Sequence, residues 1–231
     1  MPAPVLSPDG RLLVVPLGAV HAVLSSAIVQ GGRRTAREVA WLEVRDDDLR
    51  PPVDPVRLTR DRLAAAGWPG AVGLLTSRTL ARHVVSERGA GGVRARCVAT
   101  VGLGNALRAG DPPGAGPRAG TINLLCQVSA PLGDEGLVEA LAVAVEARTL
   151  AVLEAGIASV RSGLAATGTG TDCAVIAAPE VGEAPALYAG KHTALGHVIA
   201  AAVHDAVARG VAAWCAEQAG AARTAAAIAG R

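Results

Sequence analysis

Between Ala166 and Asp172 the chain reads Ala-Thr-Gly-Thr-Gly-Thr-Asp, so three hydroxyls and a carboxylate are spaced by glycine. Such hydroxyls can donate, accept or, beside a base, attack a carbonyl carbon. Gly168 and Gly170 let the backbone come close to a ligand. The same residue types also make ordinary polar turns. The apolar run Cys173–Ala178, closed by Pro179, reads as a short buried strand, and the Gly/Thr segment is the loop that feeds it. Asn105, at the end of Gly102-Leu103-Gly104-Asn105, is a suitable oxyanion donor. Thr121 follows Gly120 at the start of another strand. His192 follows Tyr188-Ala189-Gly190-Lys191 at a helix entry, where a histidine tends to stay neutral and face an anion, or simply caps the helix.

The elements that must hold these residues follow from apolar spacing. Strands are expected over 11–16, 22–29 and 38–44, with Ser25-Ser26 just before a tight turn containing Gly31-Gly32. Asp54-Pro55 starts a helix that runs to Ala66. A strand over 71–76 ends in Thr76, and 79–87 leans to helix. Strand 93–101 precedes a Gly/Pro loop over 108–120, and strand 122–130 follows. A helix over 135–154 carries Leu137, Val138, Leu141, Val145, Leu150 and Leu153 as its apolar face, with Gly156 as its cap. A helix over 194–216 buries Leu195, Val198, Ile199, Ala202, Val203 and Val207. Strands and helices mix without regular βαβ alternation. This predicts an α+β fold with a mixed, largely antiparallel sheet covered by two long helices, of which a four-layer α-β-β-α sandwich is one form. One domain is expected over 1–231, with 1–23 and 220–231 peripheral.

Composition narrows the function. The chain has 231 residues, 51% apolar and 18% charged, enough to bury a real core. That core must be aliphatic, because there is no Phe, one Tyr and three Trp. A net charge of +2 without long like-charge blocks argues against a nucleic-acid partner. No signal peptide and no apolar run of about 20 residues is seen, so no membrane partner is expected. Cys97, Cys126, Cys173 and Cys215 form no C-x-x-C pair and read as buried free thiols of a reducing cytoplasm. His192, His197 and His204 lack metal-site spacing. Gly190-Lys191-His192-Thr193 lacks the earlier glycine of a phosphate loop, and Gly102-x-Gly104 lacks its third.

Ordered motifs then become informative: Leu24–Ala27 with Gly31-Gly32, Val72–Thr76, Thr100–Ala106 with Gly110-Asp111, Gly120–Asn123, Glu146–Thr149, Ala166–Asp172 and Tyr188–Thr193. Together, over about residues 24 to 205, they resemble the adenosylcobinamide amidohydrolase family. Gly104 stands where Ser looks more usual, and Lys191 where Gly is common. The resemblance implies hydrolysis of the amide joining a corrin propionyl arm to aminopropanol, yielding adenosylcobyric acid in cytoplasmic corrinoid salvage. Cobalt would belong to the substrate, so no cofactor or protein metal is implied.

Within that reading, Asn105 is the oxyanion donor. Thr169, Thr171 and Asp172 relay protons or orient the base, and His192 is the base or an anion holder. Ser25, Ser26, Gly31, Gly32, Thr76, Arg108, Gly168, Gly170, Tyr188 and Lys191 are the candidate substrate contacts. Trp41, Trp68, Trp214 and Tyr188 can pack on the corrin or belong to the core. A more distant likeness joins Gly120-Thr121, Ala130-Pro131-Leu132 and Gly168–Asp172. It is similar to self-processing aminopeptidases and ornithine acetyltransferases, and implies Thr121 as a nucleophile freed by autocleavage. The alternatives are a corrinoid-binding protein without turnover and a self-processing peptidase or acyltransferase acting on another amide. A homo-oligomer is compatible with all three.

Overall fold

Branched and small apolar residues alternate along the strands so that most have two buried faces, and a sheet covered on both sides follows. The structure, a computed structural model, describes residues 1–114, 120–180 and 185–229. Its strands are β1 (Val5–Leu6), β2 (Leu12–Ser25), β3 (Gly32–Glu43), β4 (Val72–Thr76), β5 (Val84–Ala90), β6 (Val93–Val101), β7 (Ala106–Leu107), β8 (Ile122–Val128), β9 (Gly168–Thr169) and β10 (Cys173–Pro179). Its helices are α1 (Pro55–Ala65), α2 (Asp134–Glu154) and α3 (Ala194–Ala229). The main sheet runs β4-β3-β2-β10-β8-β6-β5, with β1 added to β2, and β7 pairs with β9 alone. Within it only β3–β4 and β8–β10 are parallel.

The sheet curls until its two halves face each other. Leu13, Trp41 and Leu74 of β2–β4 pack against Val98, Leu125 and Val175 of the other half. Asn123 Nδ2 on β8 donates to the Leu75 carbonyl on β4 at 2.8 Å, closing the concave side. Strand twist, and the register shift between Pro16 and His21 of β2, permit the bend. On the convex side Leu63 of α1 covers Val14 and Ala40, while α2 and α3 cover β10, β8, β6 and β5. The fold is α+β and mixed, and its α-β-β-α layering comes from one continuous sheet rather than two.

Several expectations change. Residues 1–23 are not peripheral, because β2 is a central strand with Leu13 and Val15 fully buried. Over 79–87 only Leu80–Arg82 makes a helical turn. Val84 and Val85 then join β5, whose hairpin to β6 turns on Gly91 and Gly92, both at positive φ. In α2 the buried face is Gly136, Leu137, Ala140, Val143, Ala144, Ala147, Ala151 and Val152. Of the expected face Leu137 is fully buried and Leu141 and Val145 are partly buried against the core, while Val138, Leu150 and Leu153 are exposed. That helix is apolar around much of its circumference, and its small residues allow the closest approach to the sheet.

The buried stripe of α3 is the expected one, but the helix continues well past residue 216. By length and composition Ala194–Ala221 could cross a membrane, with a mean hydropathy of 1.3, which the run-length reading did not credit. Here its stripe packs on β5, β6 and α2. Residues 115–119 of the expected Gly/Pro loop and the chain end at 230–231 lie outside the described residues.

At one end of the concave face lies a buried polar chain. Arg96 Nη2 donates to Gln127 Oε1 at 2.8 Å. Gln127 Nε2 donates to the Leu17 carbonyl and to His21 Nε2, both at 2.9 Å. His21 Nδ1 then donates to the Ala19 carbonyl at 3.1 Å. Arg96 Nη1 donates to the Pro2 carbonyl, which brings the N-terminal segment across this end. The chain requires a neutral His21, and burial pushes its pKa below the usual 6.5. Below that value the unfolded chain takes up a proton that the folded chain refuses, so stability falls as pH drops from 6.5 toward the folded pKa. Chemical denaturation at stepped pH should show this slope, and His21→Asn should flatten it.

Candidate active site

Asp172 stands immediately before β10, and its carboxylate is surrounded by donors. Arg148 Nη1 on α2 reaches Oδ2 at 2.5 Å, and the Thr169 amide reaches it at 2.9 Å. The Ile122 amide at the start of β8 donates to Oδ1 at 2.9 Å, and the Thr169 hydroxyl also bonds Oδ1. The side chains of Asp172 and Arg148 are only 8% and 14% exposed, so this is a buried ion pair. A Cβ on Gly168 would fall 2.3 Å from Asp172 Oδ2, which explains a glycine where the loop wraps the carboxylate. Four donors match the roughly four lone-pair sites of a carboxylate. Asp172 therefore ties together the loop, α2 and the start of β8.

Thr121 sits beside this hub, 5% exposed. Its hydroxyl lies 2.8 Å from the Thr171 carbonyl and 3.2 Å from Asn123 Oδ1, both acceptors. The Thr171 hydroxyl donates to the Gly120 carbonyl at 3.3 Å. The turn carrying Asn105 closes on the same place. Gly102 N donates to the Thr121 carbonyl at 3.0 Å, and Gly170 N to the Asn105 carbonyl at 3.2 Å. A side chain on Gly120 would come within 2.7 and 2.8 Å of the Gly104 and Asn105 nitrogens, and one on Gly170 within 2.7 Å of Asn105 Nδ2. Asn105 Oδ1 is buried without a hydrogen-bond partner. An open cleft of about 360 Å³ runs along this wall, lined by Leu107, Arg108, Arg148 and residues 167–172. The Arg108 guanidinium is tied to the Ala165 carbonyl at 2.9 Å.

Behind Thr121, the concave face adds polar groups. Asn123 and Thr100 are cross-strand partners on β8 and β6. Thr100 Oγ1 and Ser25 Oγ are buried and unpartnered. Ser26 Oγ accepts from Ala174 N at 3.1 Å, and Thr76 Oγ1 from Arg78 N at 3.0 Å. Gly31 and Gly32 have backbone reasons: a Cβ on Gly31 would fall 2.2 Å from the Ala27 carbonyl oxygen, and Gly32 has φ +80°.

His192, Lys191 and Tyr188 do not join this group. A Cβ on Gly91, in the β5–β6 turn, would lie 2.8 Å from Ala194 Cβ, whereas one on Gly210 would lie 2.5 Å from Val101. Those sixteen residues of α3 span about 24 Å. The start of α3 is thus at the opposite end of β6 from Thr121. His192 is exposed there, Lys191 pairs with Glu146 at 2.5 Å, and Tyr188 is 64% exposed. The fold therefore separates His192 from Thr121, Asn105 and Asp172, and a base role for it at Thr121 does not fit. Arg148, Asn123 and Thr100 were missed as site residues. Arg148 carried a signal, since it falls four residues from both Ala144 and Val152 on the buried face of α2.

Breaking a buried ion pair leaves an uncompensated charge, at a cost of about 3–5 kcal/mol. Arg148→Met and Asp172→Asn should each lower unfolding free energy by about that much, and the double variant by clearly less than their sum. Denaturant titration of the four proteins measures this coupling.

Of the comparisons with known proteins, the family model is the one that names a family. The chain matches the family model described as adenosylcobinamide amidohydrolase over residues 7–219. No curated protein matches it. Among solved structures it is similar to the PH0078 protein from Pyrococcus horikoshii OT3, at 10% identity and a TM-score of 0.40, covering 90% of this chain and 82% of that one. Since the family match runs from before β2 into α3, the chain belongs to the adenosylcobinamide amidohydrolase family.

Proposed function

We propose that the protein hydrolyses the aminopropanol amide of adenosylcobinamide, giving adenosylcobyric acid and aminopropanol in cytoplasmic corrinoid salvage. Family membership supports the reaction class. The observation that carries the site is the convergence of the Thr121 hydroxyl and Asn105 on one glycine-lined wall fixed by the Arg148–Asp172 pair. In this reading Thr121 Oγ attacks the amide carbon, and the Asn105 side-chain amide stabilises the oxyanion. The C–N bond then breaks, and the hydroxyl proton leaves on the amine. Water hydrolyses the resulting ester to the acid and restores Thr121. Cobalt enters with the substrate.

A second reading, a self-processing peptidase or acyltransferase acting on another amide, rests on the Thr171 hydroxyl. It donates to the Gly120 carbonyl, where negative charge would develop if the Gly120–Thr121 bond were cleaved. In that case the freed α-amine of Thr121 becomes its own base.

Incubation with adenosylcobinamide should release aminopropanol and adenosylcobyric acid. Binding without release would instead mark a corrinoid carrier. Thr121→Ala should lower kcat by at least about 100-fold, the scale of losing a nucleophile or its equivalent. Full turnover by that variant excludes Thr121 as the nucleophile. Intact mass decides the second reading, since one fully active 23.0 kDa species excludes self-cleavage.

A further inference from the structure

The turn that carries Asn105 has two sides. One packs against Gly120 and Gly170, and the other, at Gly102–Gly104, lines a second open cleft of about 360 Å³. This second cleft lies between Gly102–Gly104, the segment after β4 and the C-terminal half of α3. Gly102, which lines this cleft, donates its amide to the Thr121 carbonyl at 3.0 Å, so the cleft wall is bonded directly to the backbone of Thr121.

Resting on the corrinoid reading above, we propose that this cleft seats one face of the planar macrocycle, with Trp214 as the surface on which the ring lies. The aromatic inventory leads here. Trp41 is fully buried in the concave core, Trp68 packs beside Leu63 and Ala71, and Tyr188 belongs to the opposite end of the molecule. Trp214 is half-buried and lines the cleft beside the site. Val160, 49% exposed and held by its amide to the Ala106 carbonyl at 2.9 Å, lines the same cleft. The rim is polar, with Ser77, Thr79 and Gln218. A flat apolar ring edged with amide arms needs this combination: an aromatic plane for its face and donors and acceptors at its edge. Arg78, one-tenth exposed, also lines the cleft, and its buried Nε has no hydrogen-bond partner.

The surface is held rigidly. Both Arg78 terminal nitrogens donate to Glu217, at 2.5 and 2.9 Å, and Arg82 adds a contact at 3.4 Å. Gly210 meanwhile lets α3 approach Val101 closely. Trp214 is thus fixed one helical turn from a clamp that ties α3 to the segment after β4. Ring stacking contributes in the ground state and in the transition state alike, so its loss should appear in KM and leave kcat.

Steady-state kinetics with adenosylcobinamide, with tryptophan-fluorescence quenching as a binding readout, tests the assignment. Trp214→Ala should raise KM and the quenching Kd about tenfold while kcat stays within about threefold, and Trp214→Phe should recover most of the loss. Val160→Asp, on an exposed wall where folding is little affected, should raise KM similarly. An unchanged KM in Trp214→Ala overturns the assignment, and if that variant fails to fold, an unchanged KM in Val160→Asp does so. If the wild-type protein neither binds nor cleaves the corrinoid, the functional reading itself falls, and this assignment with it.

Discussion

Asp172 accepts hydrogen bonds from α2, from the start of β8 and from the loop that precedes it. Each of these elements also carries part of the site wall, so the position of Thr121 relative to residues 168–171 depends on that carboxylate. Its burial raises the stakes. In a nearly dry setting a satisfied charge pair fixes geometry, and a half-satisfied one is strongly destabilising. The parallel pairing of β8 with β10 sets Thr121 and Asp172 side by side at the N-terminal ends of two neighbouring strands. Open parallel sheets usually place ligands at the carboxyl ends of their strands. Here the antiparallel neighbours β2 and β6 contribute their carboxyl ends, with Ser25 and Thr100, to the same place.

The curl of the sheet does the remaining positioning. Without it, Asn123 would face solvent or an apolar layer, and Leu75 would be remote from β8. With it, Asn123 spends its amide nitrogen on Leu75 and keeps its oxygen for Thr121. Gly120 lets its backbone meet that of Gly104 and Asn105 at distances no Cβ could share, and Gly170 leaves room for the Asn105 side chain. Close backbone approach and a buried ion pair together give a rigid wall, which is what preorganised stabilisation of an oxyanion requires.

Much of this was legible in the residues, and the failures have physical causes. The loop before β10, the strand start at Thr121, the glycine turn that holds Asn105 after β6, and the buried stripe of α3 all rest on local spacing, which survives folding. The working face of α2 does not, because apolar residues lie on several sides and only packing selects the alanine face. Arg148 was visible as a cation within that face, but its partner lay 24 residues away in sequence. His192 looked like a site residue because its glycine loop resembles other site loops. Which end of a sheet a helix starts from is a property of topology, and no local pattern records it. The assignment of residues 1–23 to the periphery failed similarly, since the central place of β2 depends on pairing with β10, about 150 residues later.

The Pro2 carbonyl on Arg96 gives the first residues of the chain a role beyond decoration. Arg96 is 2% exposed, and among the described residues no carboxylate accepts a hydrogen bond from it. The N-terminal segment therefore acts as a stopper for one end of the curled sheet. Trimming it, or redirecting it with a fused tag, would let water reach a guanidinium lodged against Gln127. Such a change would be felt along the sheet interior, through the same strands that carry Thr100 and Asn123 at the other end.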